Sequence, residues 1–358
     1  TNRTKERFMI DMNISDAIRY IGCDDTTIDL FEGQYDVPEG MSYNSYIILD
    51  EKICVLDTVD ARCADEWKAN LTAALAGRTP DYLVISHLEP DHSACIGAFC
   101  ADYPEAQLIC SKRAAQMIPQ FFEPVPSNTI IEAAEGQTLS LGAHTLSFYM
   151  APMIHWPEVM VTYEATEKVL FSADGFGKFG AICNEEEPEF EGDDTWSCEA
   201  RRYYFNIVGK YGKQVQMLLA KASKLDIATI APLHGPVLKD DLSLYLNRYQ
   251  TWSSYEPEEP GIFIAYASAH GHTAHVAEVF AQMLRDGGAP KVSVCDLARE
   301  DIHEAVEDAF RYDRMVLAAV SYDAGVFPIM DDFLHHLVTK PYQNRKVAII
   351  ENGSFAPS

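Results

Sequence analysis

The 358-residue sequence contains no C-x-x-C pair, no G-K-[ST] or G-x-G-x-x-G loop, and no apolar run near the roughly 18 residues a membrane helix needs. Each absence excludes a class of protein. Nine cysteines without paired spacing give no support to a zinc knuckle, a redox dithiol or a cysteine-bound iron-sulfur centre. Without the glycine-rich loops, a nucleoside triphosphate or a dinucleotide pyrophosphate has no cradle. Basic residues are scarce: 28 Lys and Arg against 54 Asp and Glu give a formal charge of -26. Nucleic acid and anionic membrane are therefore not expected partners. The opening stretch TNRTKERFMIDMN has neither an apolar h-region nor a small-residue cleavage site, and the odd cysteine count reads as buried reduced thiols, so a cytoplasmic location is expected. Neither an internal repeat nor a low-complexity tract is present.

What remains is the composition of a folded chain, 47% hydrophobic and 23% charged, long enough for two cores. Residues 44 to 57, YNSYIILDEKICVLD from Tyr43 on, read as a β-hairpin. Short strands are expected at 82 to 86, 107 to 111, 145 to 150, 159 to 163, 168 to 172 and 227 to 231. Helices are expected near 64 to 76, 113 to 121 and 197 to 222, which makes an α/β layered domain. SSYEPEEPG (253 to 261) concentrates proline, glutamate and glycine and reads as a linker. Beyond it, strands at 262 to 267, 291 to 296, 314 to 321 and 346 to 352 alternate with helices at 274 to 285, 301 to 310 and 329 to 338. That alternation predicts a doubly wound parallel sheet. The expected division is 1–252, a linker at 253–260, and 261–358.

The densest chemistry follows the apolar strand YLVIS, in His87-Leu88-Glu89-Pro90-Asp91-His92. The carboxyl end of a strand is where α/β sheets place their sites. In an extended segment His87, Glu89 and Asp91 face one way, with His92 turning in from the next bend; Pro90 keeps Glu89 out of the helical region. Glu89 to His92 also spells the E-x-x-H of helical di-iron bundles. The internal proline, the preceding strand and the lack of a second E-x-x-H argue against that reading. His155 in APMIHWP, Asp174 in LFSADGFG and His234 in APLHGP stand in similar places after strands or before turns, completing seven candidate metal ligands.

SAHGHT (Ser268, Ala269, His270, Gly271, His272, Thr273) lies between a strand and a helix, where backbone N–H groups and the helix N-terminus can hold a phosphate. A mononucleotide fits this loop best. Two later loops end strands at the same sheet edge: Ser321, Tyr322, Asp323, Ala324, Gly325, Val326 and Phe327, then Asn352, Gly353, Ser354 and Phe355. They offer glycine for close approach and aromatic rings for contact. The remaining histidines (144, 270, 272, 275, 303, 335 and 336) are expected to be surface or packing residues, with His270 and His272 also placed to touch the phosphate.

The order His-x-Glu-x-Asp-His, 62 residues, His155, 18 residues, Asp174, 59 residues, His234 closely resembles the di-iron site of flavodiiron proteins. SYNSYII (42 to 48), HWPEVM (155 to 160), FSADGFGKFGA (171 to 181) and the region after the linker resemble that family too. The resemblance implies a metallo-β-lactamase-like αββα sandwich followed by a flavodoxin-like domain that binds FMN. It implies one iron on His87, Glu89 and His155, the other on Asp91, His92 and His234, and Asp174 bridging. It further implies reduction of O2 or NO, a donor such as rubredoxin, and a head-to-tail homodimer or a dimer of such dimers. Two departures are expected to matter. The flavodoxin-like region has about 98 residues and stops at its third flavin loop, short of a last strand and helix, which bears on FMN retention. Glu32 in DLFEGQY stands where many family members carry a histidine beside the gas pocket.

Glu89 also bears on the choice of metal, with iron favoured and zinc or manganese left open, since metal choice also depends on availability. Hydrolytic relatives of the motif carry histidine there, and a hard carboxylate donor favours redox iron over zinc. The alternative reading is a dinuclear zinc hydrolase of the metallo-β-lactamase type with a fused flavodoxin-like module. A third class, an electron carrier or gas sensor without turnover, has no use for seven metal ligands.

Overall fold

The computed structural model describes residues 11–185 and 194–353. The chain forms two compact units. One takes the chain up to Ala200 together with Met217–Tyr245; the other takes Arg201–Gln216 and the chain from Leu246 onward.

Two sheets carry the core of the first unit. In spatial order the first runs Ile18–Tyr20, Tyr46–Ile48, Cys54–Leu56, Tyr82–Ile85, Gln107–Ser111 and Ile130–Ala133, antiparallel as far as Cys54–Leu56 and parallel from there. The second runs Thr138–Ser140, Thr145–Met150, Met160–Glu164, Val169–Phe171 and Thr229–Ala231, with only its last pair parallel. Tyr82 and Val84 from one sheet meet Leu146, Phe148, Met160 and Phe171 from the other in a single buried cluster. The spacing of two within each strand is the pleat placing alternate side chains on the inner face. Leu83 and Ile85, on the opposite face, are buried as well. Helix Ala64–Leu75 buries Trp67, Leu71 and Leu75, one stripe at a spacing of four, and Trp67 Nε1 donates to Ser45 Oγ. The expected sandwich of two sheets between helical layers is the observed one.

Two small antiparallel pairs had no counterpart in the sequence reading: Cys23–Asp25 with Met41–Tyr43, and Leu30–Phe31 with Tyr35–Asp36. They carry Phe31 and Tyr43, whose rings meet the His234 imidazole edge to face at 5.5 and 5.9 Å.

In the second unit four parallel strands lie in the order Val292–Asp296, Glu259–Ala267, Tyr312–Tyr322, Lys346–Asn352. Helices His272–Asp286, Ile302–Arg311 and Pro328–Thr339 connect them. This is the doubly wound sheet read from the alternation. Ser321 and Tyr322 pair with the short strand Gly325–Val326 in a tight hairpin, with Asp323 and Ala324 both at positive φ (48 and 59).

The continuous helix expected over 197–222 is corrected. Helix Ser197–Tyr203 passes into a π-turn, Tyr204–Val208, then a 3-10 turn, Gly209–Tyr211, before helix Gly212–Ala222. The Tyr255 hydroxyl accepts from Gly212 N at 3.1 Å and donates to the Gly209 carbonyl at 2.8 Å, so a side chain enters the helical ladder there. Gly212 is required at that approach, because a Cβ would meet Ser253 O at 2.5 Å.

Candidate metal centre

Strand ends from both sheets of the first unit deliver the seven side chains. His87 follows Tyr82–Ile85, His155 follows Thr145–Met150, Asp174 follows Val169–Phe171, and His234 follows Thr229–Ala231. Within the 87–92 motif the expectation of extended alternation through Asp91 is corrected. Glu89 is extended (φ -59, ψ 140), as a residue before proline prefers, but Pro90 then opens a helical turn, Pro90–Ser93, that carries Asp91 and His92. Proline is tolerated at a first helical position because no N–H is needed there. The turn brings Asp91 and His92 round to the side on which His87 and Glu89 already point.

The ligand atoms gather in two groups, His87, Glu89, His155 and Asp174 in one and Asp91, His92 and His234 in the other, each within 4.8 Å. In the first, Glu89 Oε2 lies 3.1 Å from His87 Nε2 and 2.9 Å from His155 Nε2. In the second, Asp91 Oδ2 lies 3.3 Å from the Nε2 atoms of both His92 and His234. Asp174 faces both: Oδ2 is 3.2 Å from His87 Nε2, and Oδ1 is 3.3 Å from His92 Nε2.

This donor set suits cations. Both carboxylate oxygens of Asp91 and of Asp174 are buried and have no hydrogen-bond partner among the described residues. Such acceptors are costly to bury unless positive charge compensates them. Burial works against a charged His87, but the charge of Asp174, the hydrogen bond to Glu158 and that to Glu89 outweigh it and raise its proton affinity well above the usual value. His92 is raised against burial by Asp91 and Asp174. Burial would raise Glu89, yet hydrogen bonds from His155 and His87 hold it down to about 2. Metal cations are the other way to supply this positive charge, and binding them releases protons. Four imidazoles and three carboxylates are borderline and hard donors that suit iron, and no thiolate stands among them.

Further groups, beyond the seven, hold these candidate ligands in place. Glu158 Oε1 accepts from His87 Nδ1 at 2.7 Å and from Leu88 N at 3.0 Å. The Ser42 carbonyl accepts from His234 Nδ1 at 2.7 Å. Asp57 accepts from Ser86 N at 2.7 Å, and burial, opposed by that bond, pushes its carboxyl up to about 6. Glu158 stands three residues after His155 in HWPEVM, but its partner His87 lies 71 residues away, so no local pattern marks this role. Glu32, at φ 50 in its turn, is exposed as a residue, yet its carboxyl is pushed up to about 7. Burial contributes most, followed by the charge of Glu89, with His155 opposing and Asp91 adding to the rise.

In the second unit the three predicted cofactor loops end parallel strands at one sheet edge. Gly271, at φ 85, is the N-cap of helix His272–Asp286, and its N–H donates to Ser268 Oγ at 3.0 Å. Ala269, His270 and His272 are exposed and Thr273 is buried, its Oγ1 accepting from Asn352 Nδ2 at 3.3 Å. Tyr322 and Phe327 meet edge to face at 5.6 Å. Gly353 is exposed; Ser354 and Phe355 lie outside the described residues.

Comparison with known proteins agrees with this geometry. A family model described as ODP family beta lactamase matches residues 41–235. The anaerobic nitric oxide reductase flavorubredoxin of Pectobacterium atrosepticum is 29% identical over 344 residues, 94% of this chain and 67% of that protein. The nitric oxide reductase of Moorella thermoacetica is 28% identical over 329 residues, 91% of this chain and 81% of that one. Among solved structures, the rubredoxin oxygen:oxidoreductase of Desulfovibrio gigas superposes with a TM-score of 0.86 at 26% identity, over 96% of this chain and 86% of that one. A flavodiiron protein from Giardia intestinalis shares the fold with a TM-score of 0.89 at 23% identity, over 99% of this chain and 86% of that one.

Proposed function

This chain belongs to the flavodiiron protein family, and on that footing we propose that it is an oxidoreductase that reduces O2 to water or NO to N2O. The observation that carries the reading is Asp174, whose two oxygens face the two ligand groups separately. In this reading His87, Glu89 and His155 hold one iron, Asp91, His92 and His234 the other, and Asp174 bridges. The loops 268–273, 321–327 and 352–355 would hold FMN. Two ferrous irons and reduced FMN together supply four electrons, enough to take O2 to two waters, whereas joining two NO into N2O and water needs two.

The protein's part is to fix and shield. Glu158 and the Ser42 carbonyl engage the Nδ1 atoms of His87 and His234, which leaves each Nε2 facing inward as a donor. Phe31 and Tyr43 cover His234, and the Trp156 ring meets His87 at 5.2 Å, keeping apolar surface around the ligands. Glu32 brings a further carboxylate toward Glu89 and Asp91, where it would alter the gas pocket. The chain's working division is taken at 1–252 and 261–358 around the segment 253–260. A small donor such as rubredoxin and a head-to-tail homodimer, or a dimer of such dimers, complete the proposal. No helix among the described residues is long and apolar enough to cross a membrane.

Metal and flavin analysis, followed by gas consumption with a reduced donor, tests this. Two irons and FMN per chain with O2 or NO uptake are expected. Zinc, no flavin absorbance and esterase or lactamase turnover would instead establish the hydrolase.

A further inference from the structure

Three ligand histidines differ in what stands behind them. His234 Nδ1 faces a neutral carbonyl, that of Ser42, at 2.7 Å. His92 Nδ1 is buried with no partner among the described residues. His87 Nδ1 faces a carboxylate, Glu158 Oε1, at 2.7 Å, with both side chains fully buried. A carboxylate behind an imidazole draws its N–H proton and raises the basicity of the opposite nitrogen, far more than a carbonyl does. Here the opposite nitrogen is His87 Nε2, which faces Glu89 and Asp174.

The same Glu158 oxygen also accepts from Leu88 N at 3.0 Å, while the Glu158 carbonyl accepts from Ser111 Oγ at 2.7 Å. Glu158 thus ties the loop behind His155 to the backbone of the 87–92 motif, and Ser111 ties that loop to the neighbouring strand end. Its second carboxylate oxygen, Oε2, is buried without a hydrogen-bond partner among the described residues, so its negative charge is directed at the His87 and Leu88 N–H groups.

From this asymmetry we infer that Glu158 is a positioning residue that makes the two metal positions unequal. By charging the outer side of His87 it strengthens the position formed by His87, Glu89 and His155 relative to that formed by Asp91, His92 and His234. With iron, the same charge favours the ferric state at the first position. The inference rests on the proposed assignment of the two ligand groups.

The test is a stepwise anaerobic titration of the metal-free protein with Co(II), followed by visible absorption and calorimetry, in wild type, Glu158→Gln and Glu158→Asp. Glutamine keeps the shape and an acceptor for Leu88 N but loses the charge. Wild type takes up two equivalents in distinguishable steps. Glu158→Gln weakens one step by about 10- to 100-fold and leaves the other within about twofold. Glu158→Asp, which keeps the charge on a shorter arm, weakens that same step less. Equal weakening of both steps in Glu158→Gln marks a merely structural role and overturns the inference; so does no change in either. Should Glu158→Gln fail to fold, Glu158→Asp decides: selective weakening of one step supports the inference, and uniform weakening or no change overturns it. Wild type that fails to bind two equivalents removes the assignment itself, a result distinct from these.

Discussion

The Nε2 atoms of His92 and His234 lie 3.0 Å apart in the buried interior, and the Nδ1 of His234 already faces the Ser42 carbonyl. Two inward ring nitrogens at that distance can share one proton as an N–H···N hydrogen bond or, with that proton displaced, both turn lone pairs on a cation, which Asp91 Oδ2, 3.3 Å from each, favours. His234→Ala is therefore expected to lower metal content from two equivalents toward one. The loss of affinity at that position should exceed the roughly 10- to 100-fold typical of changes one shell further out. Elemental analysis after dialysis measures it, and retention of both equivalents would remove His234 from the ligand set.

Asp174 makes a different prediction because it faces both groups. Asp174→Asn should weaken both binding steps, whereas Asp91→Asn should weaken one, read from the same Co(II) titration. Identical behaviour of the two variants would contradict the bridging role.

The pH dependence of stability should show a pair remote from the metal ligands. His144 Nδ1 lies 2.8 Å from Asp50 Oδ2, and His144 Nε2 lies 3.3 Å from Glu167. Burial opposes the imidazolium, but these hydrogen bonds outweigh it and raise the His144 pKa above its usual value. Its contribution is complete below the unfolded value of about 6.5 and is lost as pH rises through the raised folded value. Burial would raise Asp50, but hydrogen bonds from the His144 amide and ring hold it down to about 2. That contribution is complete above the unfolded value of about 3.9 and is lost as pH falls toward the folded one. The stability difference between wild type and His144→Gln, from denaturant midpoints, should be largest between about pH 4 and 6.5. A flat difference across that range would contradict the pairing.

Thr273 supplies a buried hydroxyl at the first turn of helix His272–Asp286 beside the Ser268–Gly271 turn. If FMN phosphate binds there, Thr273→Val removes one hydrogen bond to a charged group, worth about 1.5–3 kcal/mol, or about 10- to 100-fold in affinity. Flavin fluorescence titration measures this, and metal content should not change. Unaltered FMN affinity would move the phosphate elsewhere.

The sequence made the sandwich and the parallel sheet readable because Tyr82–Ile85, Gln107–Ser111 and Glu259–Ala267 are apolar runs whose ends carry polar clusters. All seven candidate ligands could be named because four of them share one six-residue motif and the others recur at strand ends. The helical turn under Asp91 and His92 was not readable: proline inside a motif signals a break, and only the fold shows that it occupies a helix's first position. The break after the π-turn, at Gly209–Gly212, engages the Tyr255 hydroxyl more than forty residues away, so no local pattern announces it. The role of Glu158 was hidden for the same reason, since its partner His87 is 71 residues distant. The two small antiparallel pairs that bring Phe31 and Tyr43 to His234 have strands of two or three residues, too short for a period to show.

The most direct test of the central claim is anaerobic stopped-flow mixing of the fully reduced, iron- and FMN-loaded protein with O2 and, separately, with NO. Reoxidation of flavin and iron, with at least one of the gases consumed to water or N2O, is the predicted result. Protein that carries both cofactors, is reduced, and is reoxidised by neither gas would contradict the account.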